Sequence, residues 1–598
     1  MFAMFASCSR WATHIRFVHP VVLAWLVSVS ALGAALYLRV HAAPTWSVVG
    51  WLVATLAFVV GCWLLDRRSM FQSPTINWTL IDTLTLVGVV LLGMALRVVQ
   101  LEQAPLTMLG DEGAMGTEAL RVLSGEAVDP FATGWLSHPA LWFFLQAGSL
   151  QLFGDNLYGL RMLSAIIGTA SLGTTFVMAR LLYGWRVAAM TALLLATYHF
   201  HIHFSRVGLN NIGDPFFGTL LVLLLAVGWR TESHVALGMA GVTLGFAQYF
   251  YHGTRLFFVI IVLLGLIGLV KLATSERHKV DMAVVPALLV IAGACVVLAP
   301  LIQTYVQQPD MAVLRFVQEG VTWEWLQEKS LVTGQSVPTI VLDQLQRGVL
   351  AFHSYVDAYG FYDERRPLLW GMGAALMPLG FLLACFRVRE WPYQVLVIWF
   401  VAGIVLGGAI WIITPGSPRY VTLTPVVCIF VALALDALLR ELPHALPVSP
   451  AASRAGVVVA LGFMMLASPA SYFVQFLPRE QIGGEITHTG NALARYVQQQ
   501  PADARVWVLG RWQLDSGSAS LVTFLARDQD VVFINDPMED PESLAPFLDR
   551  PTVYLATPER RGELEMIEQV FPGGATIELV WLSNPKTLLY GYKLAQFP

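Results

Sequence analysis

About thirteen stretches of the chain run for roughly 18 residues with hardly a charge, long enough for each to cross a bilayer core as a helix. They lie at 21–38, 46–65, 78–96, 157–183, 187–203, 212–227, 235–251, 256–270, 282–305, 368–386, 393–413, 420–439 and 455–476. With no water to satisfy them, backbone amides at that depth must bond within their own segment, so the fold class is a polytopic α-helical membrane protein. Composition agrees: 56% of the 598 residues are hydrophobic and only 13% charged, where soluble domains carry about 25% charged residues. A net charge of −4 predicts no nucleic-acid partner. The five cysteines, Cys8, Cys62, Cys295, Cys385 and Cys428, have no metal-like spacing and read as small core residues.

Lys and Arg in short loops set the orientation. With the N-terminus in the cytoplasm, inner turns carry Arg67 and Arg68, Arg180 and Arg186, Arg230, Lys271 with Arg277 and Lys279, Arg387 and Arg389, and Arg440 with Arg454. This predicts a multi-pass cell-membrane protein with loops 98–156 and 306–367 and the tail from 477 outside. The expected organisation is two additional N-terminal spans (1–77), a transmembrane catalytic module (78–476), and a C-terminal extracytoplasmic domain (477–598). In the tail, strand-like runs at 505–509, 531–535, 552–555, 576–580 and 588–594 alternate with a helix-like stretch at 559–570, a pattern of α/β or α+β type.

Charges that do not belong to the inner turns gather at the outer face, where each needs a reason. The first outer loop contains Gly110-Asp111-Glu112-Gly113, then Ser137-His138-Pro139, then an aromatic stretch at 141–153 expected to lie as an amphipathic helix at the interface. Adjacent acids on a loop are often only solvated, but a carboxylate at the membrane surface can take a proton from a hydroxyl. A second segment holds His199, His201, His203, Ser205-Arg206, Asn210-Asn211 and Asp214-Pro215. Only His199 and His203 share a helix face, which favours packing over metal ligation. Asp214 reads either as a helix cap or as a site acid. Two further outer turns hold Tyr251-His252-Gly253-Thr254-Arg255 and Pro418-Arg419-Tyr420. Arg206, Arg255 and Arg419 suit one anionic group, with the tyrosines equally suited to an aromatic belt. The polar, aromatic segment 353–366 reads as a lid or a solvated loop.

Asp111-Glu112, His138-Pro139-Ala140-Leu141-Trp142, Leu152-Phe153-Gly154-Asp155-Asn156, Arg161, Ser205-Arg206-Val207-Gly208-Leu209-Asn210-Asn211 and Asp214-Pro215 together resemble the GT-C membrane glycosyltransferases, in particular the protein-O-mannosyltransferase-like group that includes the lipid A aminoarabinose transferase. The resemblance is strongest from Leu109 to Arg230. It implies a GT-C-like fold and transfer of a sugar from a polyprenyl-phosphate donor to an acceptor hydroxyl on protein, lipid or cell-envelope glycan at the outer face. It implies Asp111 as general base, with Glu112 and Asp214 as further catalytic acids. It implies donor-phosphate binding at His138; the outer turns add Arg206, Arg255 and Arg419 as expected phosphate ligands and Asn211, Tyr251 and Tyr420 as expected substrate contacts. His138 stands where relatives can have lysine, so a permanent positive charge is not expected there. The family's second acid falls on Asp214 if Asp-Pro is the anchor and on Asn211 if Ser205-Arg206 is. Some relatives use a divalent metal near the first aspartate; this sequence neither requires nor excludes one. A polytopic transporter or a ligase of lipid-linked glycans is the alternative, but the paired repeats of a transporter are not seen.

Overall fold

The computed structural model describes residues 2–41, 44–67, 77–273, 278–362, 364–479, 482–510, 519–538, 540–544, 550–581 and 584–594; Arg68, Arg277 and Asp363 lie outside them. Among the described residues ten helices are long and apolar enough to cross a membrane, or eleven if Trp185–Thr197 and His199–Arg206, bent by 55° to one another, form one span. The expected spans at 235–251 and 368–386 are shorter than their apolar runs. They form His234–Ala247 and Gly371–Phe386, and a 14-residue helix rises only about 21 Å against a core of about 30 Å. The first ends at the turn Gln248–Phe250, and the second begins only at Gly371, with φ +60°. The sequence count of about thirteen is therefore ten or eleven long spans plus these two short helices.

The helix Leu141–Phe153 forms as expected but turns its polar side inward. Gln146 donates to the Gly208 carbonyl at 2.8 Å and Ser149 to that of Gly159 at 2.6 Å. A buried side-chain amide or hydroxyl is costly unless it is bonded, and here its partners are the backbone of neighbouring outer turns. At the inner ends, Asp82 pairs with Arg180 at 2.5 Å, and Asp436 with Arg186 at 2.8 Å and with Arg440. The four cysteines with described side chains are free.

The tail builds one five-stranded mixed sheet from β1 (Arg505–Leu509), β2 (Asp530–Ile534), β3 (Thr552–Ala556), β4 (Ala575–Trp581) and β5 (Asn584–Leu594), in the order β2-β1-β3-β5-β4. β1 runs parallel to β2 and β3, whereas β5 runs antiparallel to β3 and β4. Helices Gly484–Gln498 and Ala519–Leu525 carry this sheet against the outer helix Gly110–Leu123. Asn491 makes two bonds to the Met108 main chain, at 2.9 and 2.8 Å, and Arg495 donates to the Leu106 carbonyl at 2.7 Å. Gly113 lets the backbones close: a Cβ there would lie 3.1 Å from the Leu521 amide nitrogen and 3.2 Å from its Cα. Gly113→Leu should push the tail off this helix. The expected result in limited proteolysis is faster cleavage after residue 477 with the membrane helices intact.

Candidate active site

Asp111 and Glu112 open the helix Gly110–Leu123, whose N-cap, Leu109, has no side-chain acceptor. The free amides and dipole of that first turn favour negative charge. Glu112 is fully buried and ion-paired with Arg161, at 2.7 Å to Nε and 3.0 Å to Nη2, and it accepts the Gly208 amide at 2.7 Å. Arg161 also donates to the carbonyls of Leu101 and Pro105 at 3.1 and 2.7 Å. Consecutive helical residues are about 100° apart, so Asp111 leaves the helix in another direction. It is partly exposed and accepts no hydrogen bond from any described residue.

The surroundings of Asp111 come from the second outer loop. Directly after a span, helix Pro309–Glu319 presents Arg315 and Glu319, paired at 2.9 Å. Glu319 also pairs with Arg419, whose guanidinium lies 4.1 Å from the Trp411 ring centre and 5.0 Å from that of Tyr359. The amide of Ile412 donates to the Glu319 carbonyl at 2.9 Å and that of Val321 to the Ile410 carbonyl at 2.8 Å, stitching the two loops together. Burial pushes the Asp111 carboxyl up to about 6, with Arg315 pulling it down and Glu319 adding to the rise.

His138 sits at the end of a tight loop. Leu136 and Ser137 have φ of +48° and +60°, strained for residues with a side chain and typical of functional sites. Its ring stacks between Trp135 and Tyr251, 5.7 and 6.2 Å away, with His252 at 5.1 Å. Burial, helped by Arg315, brings the imidazole down to about 3, so it is neutral at ordinary pH. The Asn210 amide nitrogen reaches both the Phe250 carbonyl at 2.7 Å and His138 Nδ1 at 3.2 Å. Donating to both leaves Nδ1 an acceptor and puts the His138 proton on Nε2. Tyr251 is pushed up to about 12, by burial first, with Asp214 and Glu319 adding and Arg419 and Arg315 opposing. Asp214 is buried in the first turn of helix Gly213–Thr231, and neither carboxylate oxygen has a hydrogen-bond partner. It does not cap that helix. Gly253 closes over it, since a Cβ there would stand 2.2 Å from Asp214 Oδ2.

The structure thus gathers Asp111, His138, Tyr251, Asp214 and Arg419, and it separates others from them. Arg206 is fully buried, and its Nε, Nη1 and Nη2 donate to the carbonyls of Ala104, Leu96, Val99 and Gln100 at 2.7–3.2 Å, so it clamps the turn after a span instead of facing a ligand. Arg255 is exposed and bonds the Ala312 carbonyl at 2.8 Å, steadying helix Pro309–Glu319. Asn211 is buried against the Pro418 carbonyl at 3.4 Å. Tyr420 points into the core, where its hydroxyl reaches the Gly348 carbonyl at 3.3 Å. The expected lid or solvated loop at 353–366 mixes exposed residues, such as Ser354 and Arg365, with the buried Asp357 and Tyr362. Asp357 accepts from the Ser417 amide and hydroxyl at 2.7 and 2.8 Å and from the Tyr362 amide at 3.0 Å, which pins it to the Arg419 turn.

Arg315, Glu319 and Trp411 were not among the sequence candidates, and Tyr359 was one only as part of the segment 353–366. Their one local signal is Arg315 and Glu319, four apart in an amphipathic stretch opened by Pro309-Asp310. Among the described residues no three His, Cys, Asp or Glu side chains converge as a metal would need, and Glu112 is committed to Arg161, so no step below runs through a metal. Removing one partner of a buried ion pair costs about 3–5 kcal/mol. Glu112→Gln should therefore lower unfolding stability by that order, read as a fall in thermal midpoint in detergent, whereas Asp111→Asn should leave the midpoint near that of the parent protein.

The family model for dolichyl-phosphate-mannose-protein mannosyltransferases matches residues 137–302, which include His138, Asp214 and Tyr251 but not Asp111. No curated protein matches the chain. Among solved structures the chain is similar to ArnT from Cupriavidus metallidurans in the apo state, with a TM-score of 0.51 and 15% identity over 86% of this chain and 97% of that one. It is similar to the same protein bound to undecaprenyl phosphate, with a TM-score of 0.52 and 15% identity over 87% and 98% of the two chains. At this identity the likeness is one of fold: a polytopic helical membrane protein of GT-C type with a small C-terminal sheet, resembling the aminoarabinose transferase.

Proposed function

We propose that the chain is a membrane glycosyltransferase that moves a sugar from a polyprenyl-phosphate donor to an acceptor hydroxyl at the outer face of the membrane. The observation that carries this reading is an unbonded carboxylate, Asp111, in the field of Arg315 and Glu319, with Arg419 sharing that same Glu319. Two guanidinium charges on one carboxylate leave a net positive seat for a lipid phosphate. The likeness of fold to ArnT, one form of which binds undecaprenyl phosphate, supports the same donor class.

In this reading the acceptor oxygen attacks the anomeric carbon while Asp111 takes its proton. The bond from that carbon to the phosphate oxygen breaks, and its electron pair leaves on the lipid phosphate. Arg315 and Arg419 balance the developing charge, with the phosphate taking the place of Glu319, and His138 donates from Nε2 as a neutral group. Tyr251 and the buried Asp214 form the wall behind them. Glu112 holds the helix that aims Asp111. Arg206 and Arg255 act on the backbone around the site, not on the phosphate. For the transporter alternative, Asp82 and Asp436 are not free to carry an ion, since they pair with Arg180 and Arg186.

Asp111→Asn should lower turnover by about 10²–10⁴-fold with donor affinity retained, measured with purified protein. The base must be ionised, so kcat/KM should fall as pH drops through about 6 and level off above it. Near-normal turnover in Asp111→Asn would sink the assignment. Arg315→Gln and Arg419→Gln should each weaken donor binding by roughly 1.5–3 kcal/mol, the value of a charged hydrogen bond, and unchanged affinity in both would move the phosphate elsewhere.

We also propose that the tail lies outside the cell with Asp111, as its packing on the helix Gly110–Leu123 requires. A cysteine in place of the exposed Gln569, in an otherwise cysteine-free chain, should react with an impermeant maleimide on intact cells. Reaction only after permeabilisation would reverse the topology.

A further inference from the structure

A narrow cleft opens between helices Trp185–Thr197, Gly371–Phe386, Thr424–Ala445 and Pro450–Ala470. Its walls are apolar, including Leu194, Met372, Val427, Val431, Phe463 and Met464. None of the residues placed at the transfer site lines it. Its lining on helix Pro450–Ala470 runs from Phe463 to Ser468, about 8 Å of helix rise, which is within one leaflet of a core about 30 Å thick.

The mouth is polar and positive. Trp370 lines it, and the indole Nε1 of Trp370 is buried with no hydrogen-bond partner. A buried donor without an acceptor is costly, so the site lacks an acceptor oxygen. The Arg366 guanidinium lies 5.1 Å from the Trp370 ring centre and donates through Nη2 to Gln475 at 2.9 Å, with the exposed Arg365 next to it in sequence. His199 stacks on Trp370 at 6.0 Å, but its Nδ1 is engaged by the Tyr362 hydroxyl at 2.7 Å. The Glu364 carboxylate beside His199, at 3.3 Å, already accepts from Tyr362 and Ser471, so the Trp370 Nε1 proton is left without an acceptor oxygen.

We infer that the cleft is a binding site for an anionic glycerophospholipid, its phosphate held by Arg366 and the Trp370 Nε1 proton and one acyl chain lying between helices Gly371–Phe386 and Pro450–Ala470. A groove this short holds a segment of one acyl chain, not a long polyprenyl chain. The site does not depend on the transferase reading.

The test uses the full chain in detergent with an equimolar mixture of phosphatidylglycerol and phosphatidylcholine, counting retained lipid by native mass spectrometry. The parent protein should retain phosphatidylglycerol selectively. Arg366→Gln should lower that retention at least fivefold, and Ala467→Trp, which fills the cleft without changing charge, should do the same. Arg347→Gln, an exposed arginine paired with Asp343, should leave it unchanged. Circular dichroism and thermal melting check that each variant is folded. Equal retention in Arg366→Gln and the parent overturns the proposal, as does equal capture of phosphatidylcholine. Stoichiometric displacement of phosphatidylglycerol by added undecaprenyl phosphate overturns it in favour of a second polyprenyl site.

Discussion

A carboxylate and a guanidinium with no solvent-exposed surface on either, Glu112 and Arg161, tie together the elements around Asp111. The pair joins the first outer helix to span Leu157–Tyr183, and its remaining bonds go to Gly208 and to the turn containing Leu101 and Pro105. Separately, each charge would be intolerable at this depth; together, with their other bonding positions filled by backbone, they are stable. The helix is thereby fixed in rotation. That rotation leaves the neighbouring Asp111 unbonded in a partly open space, the condition a carboxylate needs to act as a base.

The same desolvation argument sorts the arginines. Arg206 and Arg97 are buried and satisfied by carbonyls at helix ends, so they close turns in the bundle. Arg315 and Arg419 share Glu319 near the surface, and Arg419 is held between two aromatic rings. A cation with all its protons on neutral carbonyls has little to offer an incoming anion. Two cations sharing one carboxylate retain charge that a phosphate can use. Proximity to the outer face is therefore a weaker guide to phosphate binding than the hydrogen-bond inventory of each guanidinium.

The C-terminal sheet enters this arrangement as a wall. It carries none of the residues assigned to transfer, yet helix Ala519–Leu525 packs on Gly113 and Asn491 grips the main chain of Met108, three residues before Asp111. The helix that carries Asp111 is thus held from two sides, by Arg161 and by the C-terminal sheet domain.

Much of this was legible in the sequence. Apolar runs mark the spans because a bilayer demands internally bonded backbone, and the strands of the tail fall within a few residues of their alternating runs. Asp111, His138, Asp214, Tyr251 and Arg419 could be picked out because charge at a membrane surface is rare. Span length was less legible: at His234–Ala247 and Gly371–Phe386 the apolar run outlasts the helix, which ends where a turn is needed by its neighbours. Only the tertiary structure separated Glu112 from Asp111, two adjacent acids of like composition, because their difference lies in which one Arg161 reaches. Only it withdrew Arg206 and Tyr420 from the site and supplied Arg315 and Glu319 from a loop some two hundred residues from Asp111 (positions 111 and 315). Local sequence encodes what a residue can bond to and what a segment can span; which partner it meets is decided by packing between segments far apart in the chain.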